Sequence, residues 1–177
     1  DVAGAVEKLV AHRAAAAGVR IESDVAAALP LCAIEPDALR QVLLNLVLNA
    51  LEVTPAGGDV RVAARSIGRV LQIDVEDRGP GIPRALRGRV FEPFFSTRAE
   101  RSGGLGLAIS RRLVDQAAGT LVIADRPGGG TRFRMRLPTT PAPTARRCAR
   151  SRRVPPRRSD RPPRSRRHAR AAARARS

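Results

Sequence analysis

The stretch from Asp37 to Glu52 restricts the possible folds more tightly than any other part of the chain. It is apolar almost throughout, yet it carries Gln41, Asn45, Asn49 and Glu52 at spacings of four, four and three, which line them up on one face of a helix. An amide inside an apolar helix needs hydrogen-bond partners, so this face expects a polar object lying against it. Further along, Val70 to Glu76 alternates as a strand, and Asp77-Arg78-Gly79-Pro80-Gly81 follows at once. There the acid sits where the chain turns on two glycines that let backbone approach a ligand. The two segments together read as a nucleotide site.

Charge divides the chain into two parts. The formal net charge is +17 over 177 residues, but residues 139–177 hold fourteen arginines against a single acid, Asp160, a net of +13, while residues 1–138 carry only +4. Val154 is the one sizeable apolar side chain in that tail, so it cannot bury enough surface to offset the entropy of ordering. The expected organisation is one domain over residues 1–138 and a disordered Arg/Pro/Ala-rich tail over 139–177. About 138 residues suffice for a single core. That core is aliphatic, since the chain lacks Trp and Tyr and three of its four Phe are Phe91, Phe94 and Phe95. Cys32 and Cys148 have neither metal-ligand spacing nor the look of a disulfide framework, which suits a reducing compartment. No apolar run is long enough to span a bilayer, and no signal peptide opens the sequence. The expected setting is cytoplasmic, either as a separate protein or as the cytoplasmic part of a membrane-anchored sensor whose upstream region precedes Asp1.

Local signals predict a helix over about 2–17 ended by Gly18, a strand over 19–25, and a short strand over 31–34. The Asn-bearing helix follows, with Pro36 in its first turn and Thr54-Pro55-Ala56-Gly57-Gly58 at its end. Strands over about 59–66 and 69–77 join through a tight turn at Ile67-Gly68. Residues 80–102 lack sustained periodicity, and a loop of that length in a compact domain is usually functional, here expected to act as a lid. A helix over about 104–117 and strands over 120–125 and 131–137 close the domain.

Five blocks in fixed order carry a family resemblance. Asn45-Leu46-Val47-Leu48-Asn49-Ala50 resembles the N box of sensor histidine kinases, Asp77 to Gly81 their G1 box, Val90 to Thr97 their F box, Gly104 to Ile109 their G2 box, and Gly130-Thr131-Arg132-Phe133 their closing strand motif. The resemblance covers roughly residues 1–138. It implies the Bergerat ATP-binding fold, an α+β two-layer sandwich with three helices on one face of a mixed sheet, and a kinase that passes the ATP γ-phosphate to a histidine. ATP and Mg2+ are the implied cofactors. A dimerisation and phosphoacceptor domain and a response regulator are the implied partners.

By the same resemblance Asp77 accepts a hydrogen bond from the adenine amino group, a task suited to a carboxylate, which only accepts. Gly79, Gly81 and Ile82 accompany it in the ATP site. Asn49 matches the magnesium-binding Asn, whose amide oxygen suits a hard cation that keeps waters and borrows phosphate oxygens. Asn45 is carried over as its neighbour at phosphate and metal, and the two are the implied catalytic residues. ATP-hydrolysing relatives place a water-activating Glu on this turn, whereas Asn cannot act as a general base, which favours transfer over hydrolysis. Gly103, Gly104, Leu105 and Gly106 precede a helix whose N-terminal N–H groups can receive phosphate. Arg98 either reaches the phosphates or is a solvated arginine, and Thr131 either touches the adenine pocket or is a strand residue. Phe91, Phe94 and Phe95 read as packing rather than chemistry, and the resemblance implies that they dock the lid onto the domain and help to meet the phosphoacceptor domain.

The chain departs from the family pattern at two places, with Glu52 where many members have Lys and Ser102 where they have Gly. Neither histidine has the phosphoacceptor setting: His12 lacks the acidic neighbour and downstream Pro of the family's H box, and His168 lies in the tail. Two rival functions stand beside the kinase: another ATPase or serine kinase of the same fold, and a non-catalytic nucleotide-binding signalling module. The basic tail could retain nucleic acid by charge, although it has no aromatic residue for stacking bases.

Overall fold

The computed structural model describes residues 2–95 and 104–139. Five strands form one mixed sheet: β1 (Arg20–Val25), β2 (Asp59–Ile67), β3 (Val70–Glu76), β4 (Thr120–Ala124) and β5 (Arg132–Pro138). Their spatial order is β1-β2-β3-β5-β4, with β1 parallel to β2 and the other three pairings antiparallel. Three α-helices, α1 (Val2–Ala17), α2 (Pro36–Val53) and α3 (Gly106–Gln116), supply the second layer. The result is the α+β sandwich that the motifs imply.

Alternation along the strands decides which face the helices cover. Leu71, Ile73 and Val75 of β3 stand opposite Leu137, Met135 and Phe133 of β5, and all six are buried with Val6, Val10, Val42, Leu46 and Val114 from the helices. The intervening residues form a polar ladder on the other face. Arg134 grips Asp74 through two bonds of 2.8 and 2.9 Å, Arg136 donates to Gln72 at 3.2 Å, and Arg132 meets Glu76 at 2.8 Å. A one-residue slip of β5 would drive three arginines into the aliphatic core, so the register is set by both faces at once.

Four local expectations differ from the structure. Residues 31–34 make no strand; Cys32 forms only an isolated bridge with Thr139, because Glu35 and Pro36 already open α2. The hairpin turn is Gly68-Arg69 rather than Ile67-Gly68, since Ile67 still pairs with Val70. Within the expected aperiodic loop, Arg84–Leu86 and Arg89–Phe91 form single 3-10 turns. Finally, α3 starts at Gly106, because Gly104 has a positive φ of 61° that a right-handed helix excludes.

Candidate nucleotide-binding site

Asp77 follows the last residue of β3 and is buried, with 2% of its surface exposed. Its Oδ1 accepts the backbone N–H of Gly79 at 2.8 Å and that of Thr131 at 3.0 Å, and its own N–H donates to the Thr131 carbonyl at 2.9 Å. The carboxyl is therefore fixed from two chain segments, the turn it begins and the start of β5. Burial pushes its pKa above the ordinary value, while the Gly79 and Thr131 N–H groups, the Thr131 hydroxyl and the charge of Arg126 pull it back. A carboxylate held in this way has strong reason to accept a further donor.

Glycine is required beside it. A Cβ on Gly130 would lie 2.0 Å from the Asp77 carbonyl oxygen, so only glycine lets the β4 to β5 connection press against the anchor. A Cβ on Gly81 would lie 3.1 Å from the Gly130 carbonyl oxygen, and Ile82 is half-buried against the core. These positions gather the G1 turn and the closing strand motif around one carboxyl.

The amide face of α2 divides. Asn45 and Asn49 are half-buried while Gln41 and Glu52 are exposed. Asn45 donates through Nδ2 to the hydroxyl of Ser110 on α3 at 3.0 Å. A Cβ on Gly106 would approach the Asn45 amide to 2.6 Å, so the glycine is needed for α3 to close on α2. Ser110 is almost wholly buried and carried no local signal in the sequence.

Leu105 occupies the N-cap position of α3 with no side-chain cap bond, and its carbonyl accepts the Ile109 N–H at 2.9 Å; the first N–H groups of any α-helix lack partners within it. Gly104 accepts the Phe94 N–H at 3.0 Å, tying the end of the F box to the G2 box. Phe91 packs edge-on against Phe133 with centroids 6.4 Å apart, and Arg111 lies over its ring. Phe95 stacks under Arg89. Phe94 has a positive φ and is 77% exposed, so it is not one of the phenylalanines packed inside the domain. Arg98, Ser102 and Gly103 lie outside the described residues, as does His168, and His12 is exposed on α1.

One further link was not foreseen. Thr54, at the end of α2, is buried; its hydroxyl donates to the Ala50 carbonyl at 2.8 Å and receives the Arg78 N–H at 3.4 Å. Arg78 in turn meets Asp59 at 3.0 Å. The helix that carries Asn49 is thereby joined to the turn that carries Asp77.

A five-stranded mixed sheet under three helices, with a buried acid at the end of a central strand facing an asparagine-bearing helix, defines a class of ATP-binding domain. Residues 34–141 match the family of histidine kinase-, DNA gyrase B- and HSP90-like ATPases. The chain is 41% identical over 110 residues to the sensor histidine kinase ZraS of Escherichia coli K12, covering 62% of this chain and 23% of that protein. It is 40% identical over 131 residues to the sensory histidine kinase/phosphatase NtrB of Escherichia coli O157:H7, covering 68% and 37%. Among solved structures it resembles full-length ShkA in complex with AMPPNP, with a TM-score of 0.70 and 34% identity over 80% of this chain and 30% of that one. It also resembles the catalytic domain of the histidine kinase ThkA, with a TM-score of 0.71 and 26% identity over 78% and 91%. The chain belongs to the histidine kinase-, DNA gyrase B- and HSP90-like ATPase family, as an ATP-binding catalytic domain of the sensor histidine kinase type. It spans well under half the length of ZraS and NtrB.

Proposed function

We propose that this domain binds Mg-ATP and transfers its γ-phosphate to a histidine on a dimerisation and phosphoacceptor domain, from which a response regulator then takes the phosphate. The observation that carries the reading is the buried Asp77 carboxyl, held by Gly79 and Thr131 and enclosed by glycine backbone. In this reading Asp77 accepts the adenine amino group, with Gly79, Gly81, Ile82 and Thr131 walling the base. Backbone N–H groups of Gly103, Gly104, Leu105 and Gly106 and the side chain of Arg98 receive phosphate.

Magnesium would be held at Asn49, with Asn45 beside it. The donors fit: two half-buried neutral amides suit an ion whose other ligands are phosphate oxygens and water. When bound, the metal would neutralise developing charge on the phosphates. With Asn rather than Glu on this turn of α2, no side chain there can activate water, which favours phosphate transfer over hydrolysis.

The proposed catalytic unit is residues 1–138, with residues 139–177 as an appended basic tail that plays no part in the site. The proposed setting is the cytoplasm, where ATP and a response regulator are available; no described helix is long and apolar enough to cross a membrane. Calorimetric titration of the chain with Mg-ATP tests the nucleotide step. Saturable binding that Asp77→Asn weakens at least fivefold supports the reading, and equal binding by both proteins overturns it.

A further inference from the structure

The Asp125-Arg126 pair begins the connection from β4 to β5, and its two side chains engage different segments. Asp125 takes Arg87 at 2.8 Å and Arg84 at 3.5 Å, holding the first 3-10 turn after the G1 segment. Arg126 meets Glu76 at 3.3 Å, and its Nη1 donates to the Gly129 carbonyl at 2.7 Å. Although Arg126 belongs to a surface turn, its side chain is only 6% exposed. A buried guanidinium needs its charge matched and its donors filled, so the position is specific.

Arg126 also lies close to the anchor. Its Nη1 is 3.3 Å from where a Gly130 Cβ would stand, and that same point is 2.0 Å from the Asp77 carbonyl oxygen. We propose that Arg126 is a positioning residue of the nucleotide site, holding the glycine turn against Asp77 and giving the buried anchor a cationic neighbour. This rests on the nucleotide reading of Asp77 given above. The charge of Arg126 is not cancelled by its partner, because Glu76 is shared with Arg132 at 2.8 Å, and two guanidiniums face one carboxylate. The other charged groups around the anchor turn elsewhere: Arg78 pairs with Asp59, and Arg61 of β2 pairs with Asp24. The end of α2 brings uncharged Val53 and Thr54 against this turn, and the acid beside them, Glu52, is exposed. Arg126 is accordingly the cation whose charge lowers the Asp77 pKa, alongside the larger effects of the Gly79 and Thr131 hydrogen bonds.

The test uses the full chain with Arg126→Met, Arg126→Lys and Glu76→Gln. Carbon-13 titration of the Asp77 carboxyl in nucleotide-free protein reads the anchor directly, and Mg-ATP affinity is measured against pH beside it. Removing the cation should raise the Asp77 midpoint and move the acid loss of ATP affinity up with it. Arg126→Lys should restore the parent midpoint, and Glu76→Gln should lower it. An unmoved midpoint in folded Arg126→Met overturns the proposal. If that variant does not fold, an unmoved or raised midpoint in Glu76→Gln does so. Should the midpoints move as expected while the parent chain fails to bind Mg-ATP, the nucleotide reading fails and the electrostatic role of Arg126 stands.

Discussion

Replacing Asp77 by Asn separates the two duties of this side chain. In the parent, Oδ1 accepts two backbone N–H groups, from Gly79 at 2.8 Å and Thr131 at 3.0 Å. An Asn side chain of the same shape can keep its oxygen in that position, so the enclosing turn retains both partners. Its other terminus then becomes an amide donor, and the adenine amino group meets a donor where it needs an acceptor. An unmade bond at a buried polar pair costs about 1 to 3 kcal/mol, equivalent to a loss of roughly fivefold to a hundredfold or more in affinity. Asp77→Ala adds a cost to folding, because two buried N–H groups lose their acceptor, about 1 to 3 kcal/mol each. Calorimetry with Mg-ATP and thermal unfolding of both variants provide the assay. The expected pattern is weak binding with near-parent stability for Asp77→Asn, and weak binding with a lowered unfolding midpoint for Asp77→Ala. Parent-like affinity in a folded Asp77→Asn protein would refute the adenine assignment.

Three other outcomes follow from the same geometry. Because burial raises the Asp77 pKa, the unliganded fold favours the protonated acid; that contribution to stability is present below the unfolded pKa and lost as pH rises through the folded one. ATP affinity should run the opposite way, weakening as pH falls through the raised pKa, and paired thermal and binding titrations of parent and Asp77→Asn would reveal the opposed signs or their absence. Gly106→Ala places a methyl 2.6 Å from the Asn45 amide and should destabilise the domain by about 1 to 3 kcal/mol, measured by denaturant unfolding. Deleting residues 140–177 should leave Mg-ATP affinity within about twofold and abolish any salt-sensitive retention on DNA, which would arise from counterion release; loss of ATP binding would put the domain boundary elsewhere.

Much of this site was legible because its parts are local. Asp77 with its glycines, Asn45 and Asn49 on one helix face, and the glycines before α3 are each readable within a few positions of sequence. So is the pairing of β3 with β5, whose apolar and polar residues alternate from Leu71 to Glu76 and from Arg132 to Leu137. The contacts that were missed join residues far apart in the chain. Ser110 lies 65 positions from Asn45, Arg78 lies 24 from Thr54, and Arg126 lies 50 from Glu76. A serine in a helix, a threonine after one and an arginine in a turn are ordinary locally, and only packing gives them partners. The misread strand at residues 31–34 has a related origin: its apolar residues are real, but pairing there depends on Thr139 and reaches only Cys32.

Phosphate transfer to histidine is the central claim, and it can be measured directly. The chain, incubated with Mg-ATP labelled at the γ-phosphate, should accumulate no acid-labile phosphohistidine by itself, because His12 is exposed on α1 without the acceptor setting. Adding a cognate dimerisation and phosphoacceptor domain in trans should produce labelled histidine on that domain. Asn49→Ala should abolish the transfer through failed metal positioning while part of the nucleotide binding at Asp77 survives. Labelling of the isolated chain at His12, or no transfer to the cognate domain by a chain that demonstrably binds Mg-ATP, would contradict the account.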